Sequence, residues 1–187
     1  GATGFIGRHL VALLAHRPQA RILALVRESS TGKLAQFAGH EFGDRVEPLI
    51  GDLTEPHLGV SVADRERLRG RVDHLVHLAA IYDMTADEAS NQTANVDGTN
   101  EALLLAADLQ AGCFHHVSSV AVAGEYDGVF TEDMFDAGQH LPSPYHATKF
   151  AAEKLVRQQT DVPWRVYRPA IVVGHSKTGV MDKIDGP

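Results

Sequence analysis

The chain opens on GATGFIGRHL, three glycines spaced G-x-x-G-x-x-G that run straight into an amphipathic apolar pattern. Glycines at this spacing let a backbone turn tightly, and the helix that follows aims its positive end into the turn. A pyrophosphate suits both features, because it is anionic and needs close backbone approach. A turn of this kind belongs between a buried strand and a helix of a parallel sheet. The remaining sequence keeps that rhythm. Strand-like runs occur at Arg21 to Val26, Val46 to Ile50, Asp73 to Ala79, Phe114 to Val120 and Trp164 to Arg168. Several are apolar almost throughout, as strands covered on both faces are. Between them lie helical patterns in FIGRHLVALLAH, VADRERLRG, NVDGTNEALLLAADLQ and YHATKFAAEKLVRQQ. Strand and helix in alternation predict an α/β, Rossmann-type doubly wound parallel sheet, one dinucleotide-binding domain over residues 1–187. Ala123 to Pro144 is the one long irregular stretch, a length that points to function.

No residue stands ahead of Gly1 to form the strand that such a turn follows. The sequence therefore reads as an interior fragment that lacks its first strand, and MDKIDGP reads as a stop before most of a C-terminal substrate lobe. The formal charge of -7 and the absence of a Lys/Arg run exclude the electrostatic footprint of a nucleic-acid binder. No apolar run reaches the length of a membrane span. One cysteine, Cys113, excludes an internal disulfide framework and fits a reducing cytoplasm. Eleven histidines invite a metal reading. His115 and His116 are consecutive in a strand and face opposite ways, however, and no spaced set of His, Asp or Cys reads as a metal site.

The candidate cofactor residues follow from position. Gly1, Thr3, Gly4, Phe5, Ile6 and Gly7 form the turn and the first helical residues. Arg27 ends the next strand, where an acidic residue would favour NAD by binding the ribose 2′-OH. A guanidinium there suits a 2′-phosphate, with Lys33 as a helper, so the reading is NADP(H); a solvated arginine at a strand end is the alternative. Asp52 and Leu53 end the following strand, Asp52 as an acceptor for an adenine amino group, as a helix cap, or as both. Ala79 and Ala80, small residues at the end of HLAA, leave room for a ribose, and His77 reads as a core histidine. Tyr145 and Lys149, four apart, share a helix face. An ammonium beside a phenol lowers the phenol pKa towards general acid/base use, and the same lysine can hold a cofactor ribose. Ser118 and Ser119 lie at the carboxyl edge of the sheet. A hydroxyl there either donates to a substrate carbonyl or is a satisfied strand-end group. Asn95 reads as a mid-helix residue that either extends a proton path, by holding a water or a backbone carbonyl near the lysine, or simply caps or packs. No G-x-S-x-G elbow occurs, which leaves hydrolysis without support.

Taken in order, GATGFIG, GDL, HLAA, NVDGT, VSS and YHATK resemble the extended short-chain dehydrogenase/reductase family across essentially the whole chain. The resemblance implies that Tyr145 is the acid/base, Lys149 its partner, Ser119 the substrate-orienting hydroxyl and Asn95 the fourth member. Ser119 is preferred to Ser118 because the family hydroxyl precedes a glycine by five positions, here Gly124. RPAIVVG resembles the segment whose Pro169 region lies against the nicotinamide. GDLTEPHLGVS, HLAAIYDMTADEA and YRPAIVVGHSKTGVMDKIDGP are similar to bacterial fatty acyl-CoA reductases and thioester reductases. The implied reaction is NADPH-dependent reduction of an acyl thioester, CoA-linked or carrier-bound, to an aldehyde and onward to an alcohol. The resemblance also implies a homodimer paired through helices. Sugar-nucleotide epimerases and hydroxysteroid-type dehydrogenases share the same residues. A non-catalytic NADP-sensing regulator is the reading from another class, and the Tyr145–Lys149 pair speaks against it.

Overall fold

A computed structural model describes residues 1–39, 42–79 and 92–179. They fall into two compact units, Gly1–Asp52 with the residues from Ile171 onward, and Leu53–Ala170. All five expected strands form, and every described pairing is parallel.

The first unit holds helix α1 (Phe5–Ala15), strand β1 (Ile22–Val26), helix α2 (Thr31–Ala38) and strand β2 (Val46–Ile50). β1 and β2 pair from Ile22 with Val46 to Val26 with Ile50. Val11 and Ala15 of α1, Ala24 and Val26 of β1, and Leu34 and Ala38 of α2 make the core with Phe42 and Val46. Residues four apart on each helix and two apart on the strand face inward, which are the periods that the backbone dictates. Helix α2 is an addition to the sequence reading. Its TGKLAQFA carries only two buried anchors and a glycine, too little periodicity to stand out as a helix.

The second unit holds helix α3 (Val62–Leu68), strand β3 (His74–His77), helix α4 (Gly98–Asp108), strand β4 (Cys113–Val117), helix α5 (Pro144–Gln158) and strand β5 (Trp164–Tyr167). The strand order is β3-β4-β5. Ser61 caps α3 by accepting the Asp64 N–H at 3.1 Å, so the capping role open to Asp52 falls to Ser61 here. Arg65 and Arg69 both bind the Asp108 carboxylate at the end of α4. Along β4, Phe114 and His116 are buried while Cys113, His115 and Val117 turn to the opposite, half-covered face. Residues 124–143 hold no helix or strand, as expected of the long irregular stretch. No helix among the described residues is long and apolar enough to cross a membrane. Ala80, the IYDMTADEA stretch beyond it and the MDKIDGP end lie outside the described residues.

Candidate active site

The glycine turn is built as the spacing requires. Gly4 donates its N–H to the Gly1 carbonyl at 3.1 Å and stands at the N-cap of α1 in extended conformation. The first intrahelical bond runs from Arg8 N–H to Gly4 C=O, so the N–H groups of Phe5, Ile6 and Gly7 precede it. A Cβ on Gly7 would stand 2.0 Å from the Gly1 carbonyl oxygen and 2.8 Å from Ala2 Cα. The last glycine therefore lets α1 close on the backbone of its own turn. No acidic side chain occupies the first turn of α1. A turn whose packing excludes a Cβ, at an uncapped helix start, fits a dinucleotide pyrophosphate.

The same unit places the ribose candidates. Arg27 follows β1 directly and is exposed, and Lys33 is exposed in the first turn of α2. Gly51 N–H donates to Val26 C=O at 3.1 Å, which sets Gly51 and Asp52 beside the end of β1 and hence near Arg27.

In the second unit the candidates meet through α5. Ser143 caps the helix, accepting the His146 N–H at 3.5 Å, and Pro144 occupies its first turn, where a missing N–H costs nothing. Tyr145 is half-buried in that turn. One turn on, Lys149 is 4% exposed and its Nζ donates to the Val117 carbonyl at 3.0 Å, at the end of β4 and two residues before Ser119. Burial lowers the Lys149 ammonium to about 8, against the opposing pull of the Glu153 carboxylate. Ser119 Oγ accepts the Ala121 N–H at 3.1 Å as cap of the short turn Val120–Ala123. That bond uses a lone pair and leaves the hydroxyl proton to donate. Gly124 has φ 51°, and a Cβ there would meet the His140 carbonyl oxygen at 2.1 Å, so the Ser119-to-Gly124 spacing ends on a residue that must be glycine.

Asn95 lies on a helix, as the sequence suggests, in a π-helical turn, Gln92–Asp97, that runs directly into α4. Turns of this kind gather at functional sites. It is 2% exposed, and its Nδ2 donates to Thr148 Oγ1 at 3.2 Å. Thr148 in turn donates to the Tyr145 carbonyl at 3.2 Å. The Asn95 carbonyl accepts from Thr99 Oγ1 at 2.6 Å, and that hydroxyl lies 3.2 Å from His77 Nε2. Burial, with the Lys149 cation adding to it, lowers His77 to about 3. His77 is thus the neutral core histidine that the sequence suggests. Ala79 is half-buried just beyond β3. Pro169 follows β5, and its carbonyl accepts the Val120 N–H at 3.1 Å, which ties the RPA segment to the Ser119 turn.

Sequence reasoning misses what holds this group together. Glu153, fully buried one turn beyond Lys149, receives Arg168 Nη2 at 2.6 Å and Arg157 Nε at 2.8 Å. Burial pushes its carboxyl up, but hydrogen bonding from Arg168 and Arg157 outweighs this and holds it below the ordinary range. The one signal in the sequence is a charged residue on the buried stripe of α5, with Ala152 and Val156.

The profile of the male sterility protein family, an NAD-binding family, matches residues 1–187. A linear gramicidin synthase of Brevibacillus parabrevis is 33% identical over 202 residues, which cover 99% of this chain and 4% of that protein. Among solved structures, the terminal R domain of the myxalamid PKS-NRPS pathway superposes with a TM-score of 0.84 at 31% identity, covering 97% of this chain and 50% of that one. The UDP-glucuronic acid 4-epimerase of Bacillus cereus, in complex with NAD, reaches a TM-score of 0.73 at 25% identity over 93% of this chain and 55% of its own. The chain thus spans a small fraction of the curated relative and about half of each solved one.

Proposed function

The chain belongs to the male sterility protein family, an NAD-binding, thioester-reductase type of extended short-chain dehydrogenase/reductase, and on that premise we propose that it reduces an acyl thioester with NADPH. The observation that carries the reading is the clustering of Tyr145, Lys149, Ser119 and Asn95 in one unit, around the end of β4. Of the two solved relatives, the R domain has the higher TM-score and identity, which favours thioester reduction over epimerisation.

Bound nicotinamide supplies the hydride. The chain's own residues manage the oxygen and the proton. Ser119 Oγ and Tyr145 Oη donate to the thioester carbonyl oxygen as negative charge develops on it. Tyr145 Oη then gives that oxygen its proton, and Lys149, cationic and held by Val117, stabilises the phenolate left behind. When the C–S bond breaks, the proton leaves the hydroxyl and the thiolate departs as a thiol. Thioester, hydride and proton become aldehyde and thiol. Asn95, through Thr148, fixes the first turn of α5 that carries Tyr145.

Arg27 and Lys33 support the phosphorylated cofactor, both being exposed cations, one just beyond β1 and the other in the first turn of α2. A carrier-bound thioester is favoured over free acyl-CoA, because the matched stretch of the gramicidin synthase is a small part of a very long polypeptide. The test is NADPH oxidation by the full-length protein given a long-chain acyl thioester on CoA and, separately, on a carrier protein. Thiol release equal to NADPH consumed, faster with the carrier, is expected. Tight NADPH binding with no consumption on either substrate overturns thioester reduction and leaves the cofactor reading intact.

A further inference from the structure

The β3-β4-β5 sheet gathers a second set of donors, away from the candidate active site. The expectation that His115 and His116 face opposite ways holds, since His116 is buried beside Phe114 and His115 shares the other face with Cys113. What sequence spacing does not reveal is the neighbouring strand. His74 on β3 pairs in register with Cys113, and Val76 pairs with His115. Residues in register on adjacent strands point the same way, and so do residues two apart on one strand. His74, Cys113 and His115 therefore form a triangle on one face, with one nitrogen or sulfur atom of each within 4.8 Å of the others.

We propose that His74, Cys113 and His115 bind a borderline-soft divalent cation of the Zn(II) class, with water as the fourth ligand. A thiolate with two imidazoles is a donor set that such ions select. His74 Nδ1 lies 3.0 Å from His115 Nε2. Two nitrogens on one tetrahedral Zn(II) stand about 3.3 Å apart, so the pair needs little adjustment. Tyr167 Oη lies 2.9 Å from His115 Nδ1, on the ring edge away from the cation. It holds the ring proton on Nδ1 and leaves the Nε2 lone pair for the metal, as supporting partners of metal-bound histidines do. On binding, the Cys113 thiol loses its proton to solvent, and His74 keeps its ring proton on Nε2. Arg165, the register partner of His115 on β5, brings a positive charge to the same row and weakens cation binding. None of these residues belongs to the candidate active site.

Cobalt(II) is the probe. Titrated into the reduced full-length protein, it is expected to give a thiolate-to-metal charge-transfer band at one equivalent, which Zn(II) then removes. Cys113→Ser abolishes the band, and Tyr167→Phe weakens binding by about tenfold. Arg165→Gln tightens it. His74 is exposed, so His74→Ala retains the fold and loses affinity. Absence of the band from the parent protein, its survival in Cys113→Ser, or unchanged affinity in His74→Ala each overturns the proposal.

Discussion

Lys149 is the residue on which the electrostatics of the candidate site turn. Buried and brought to about 8, it is still largely cationic at neutral pH, where it is needed beside Tyr145. The Glu153 carboxylate opposes the effect of burial, so Glu153→Gln is expected to lower the Lys149 midpoint further. The lysine Cε resonance of the unliganded protein, followed against pH, reads this directly, and a midpoint near that of a solvated lysine would contradict the buried geometry. Tyr145→Phe should cost turnover roughly 10²- to 10⁴-fold, the usual worth of a positioned acid, with cofactor affinity unchanged. Arg27→Ala separates the cofactors instead. If Arg27 holds the 2′-phosphate as proposed, the change should weaken NADPH binding by about 1.5–3 kcal/mol, the worth of a charge-assisted contact, and leave NADH binding nearly as it was. Equal losses for both cofactors in a fluorescence titration would remove the 2′-phosphate assignment.

At the scale of elements, the buried Glu153 joins α5 to β5 and to the irregular stretch. Arg168 reaches Glu153 with Nε and Nη2, and with the same guanidinium donates to the carbonyls of Thr131 at 3.3 Å and Met134 at 2.8 Å. Arg157 lies over the rings of Phe135 and Trp164, and Phe135 stacks on Phe150 of α5 at 4.3 Å. Stripping the principal partner from a buried carboxylate costs about 3–5 kcal/mol, far more than an exposed pair would lose. Arg168→Met should therefore lower stability by that amount in denaturant unfolding and speed proteolysis within residues 124–143. Intact resistance to protease would mean that the aromatic stack alone fixes the stretch. The same elements show what a sequence can and cannot reveal. The strands are legible because near-continuous apolar runs such as RILALV and VEPLI have few other uses. The glycine turn is legible because its spacing encodes close backbone approach. Helix α2 is hidden by a weak period, and Asn95 is legible as helical although nothing in NVDGT tells a π-helical turn from an α-helical one. The Glu153–Arg168 pair joins residues fifteen apart whose charges read singly as surface. Only the fold brings them together, and the His74–Cys113–His115 triangle is another case of register across strands.

For the molecule as a whole, the buried histidines govern the response to acid. His77 is held near 3 by burial and the Lys149 cation, and burial holds His116, with neither ring nitrogen hydrogen-bonded, well below its ordinary value. In the unfolded chain both titrate near 6.5. Between about pH 6.5 and 3 the unfolded state thus binds protons that the native state refuses, so stability is full above this window and falls as pH drops through it. His77 accounts for about 1.4 kcal/mol of that fall per pH unit inside the window, and His116 acts in the same direction. The formal charge of -7 acts the other way, since mutual repulsion eases as pH approaches the isoelectric point of about 5.8. That term is spread over the surface and screened within about 8 Å at physiological salt, whereas the histidine term acts in the dry interior, so the histidines prevail. Urea midpoints measured at pH 7, 6, 5 and 4.5 should fall steadily. His77→Gln can still bond Thr99 but carries no titrating ring, and it should flatten the fall by close to one proton. Combined with His116→Asn, it should flatten it further. If the double variant loses stability in acid as steeply as the parent, the acid response lies in the carboxylate pairs, with Arg65–Asp108 and Arg168–Glu153 the first to test.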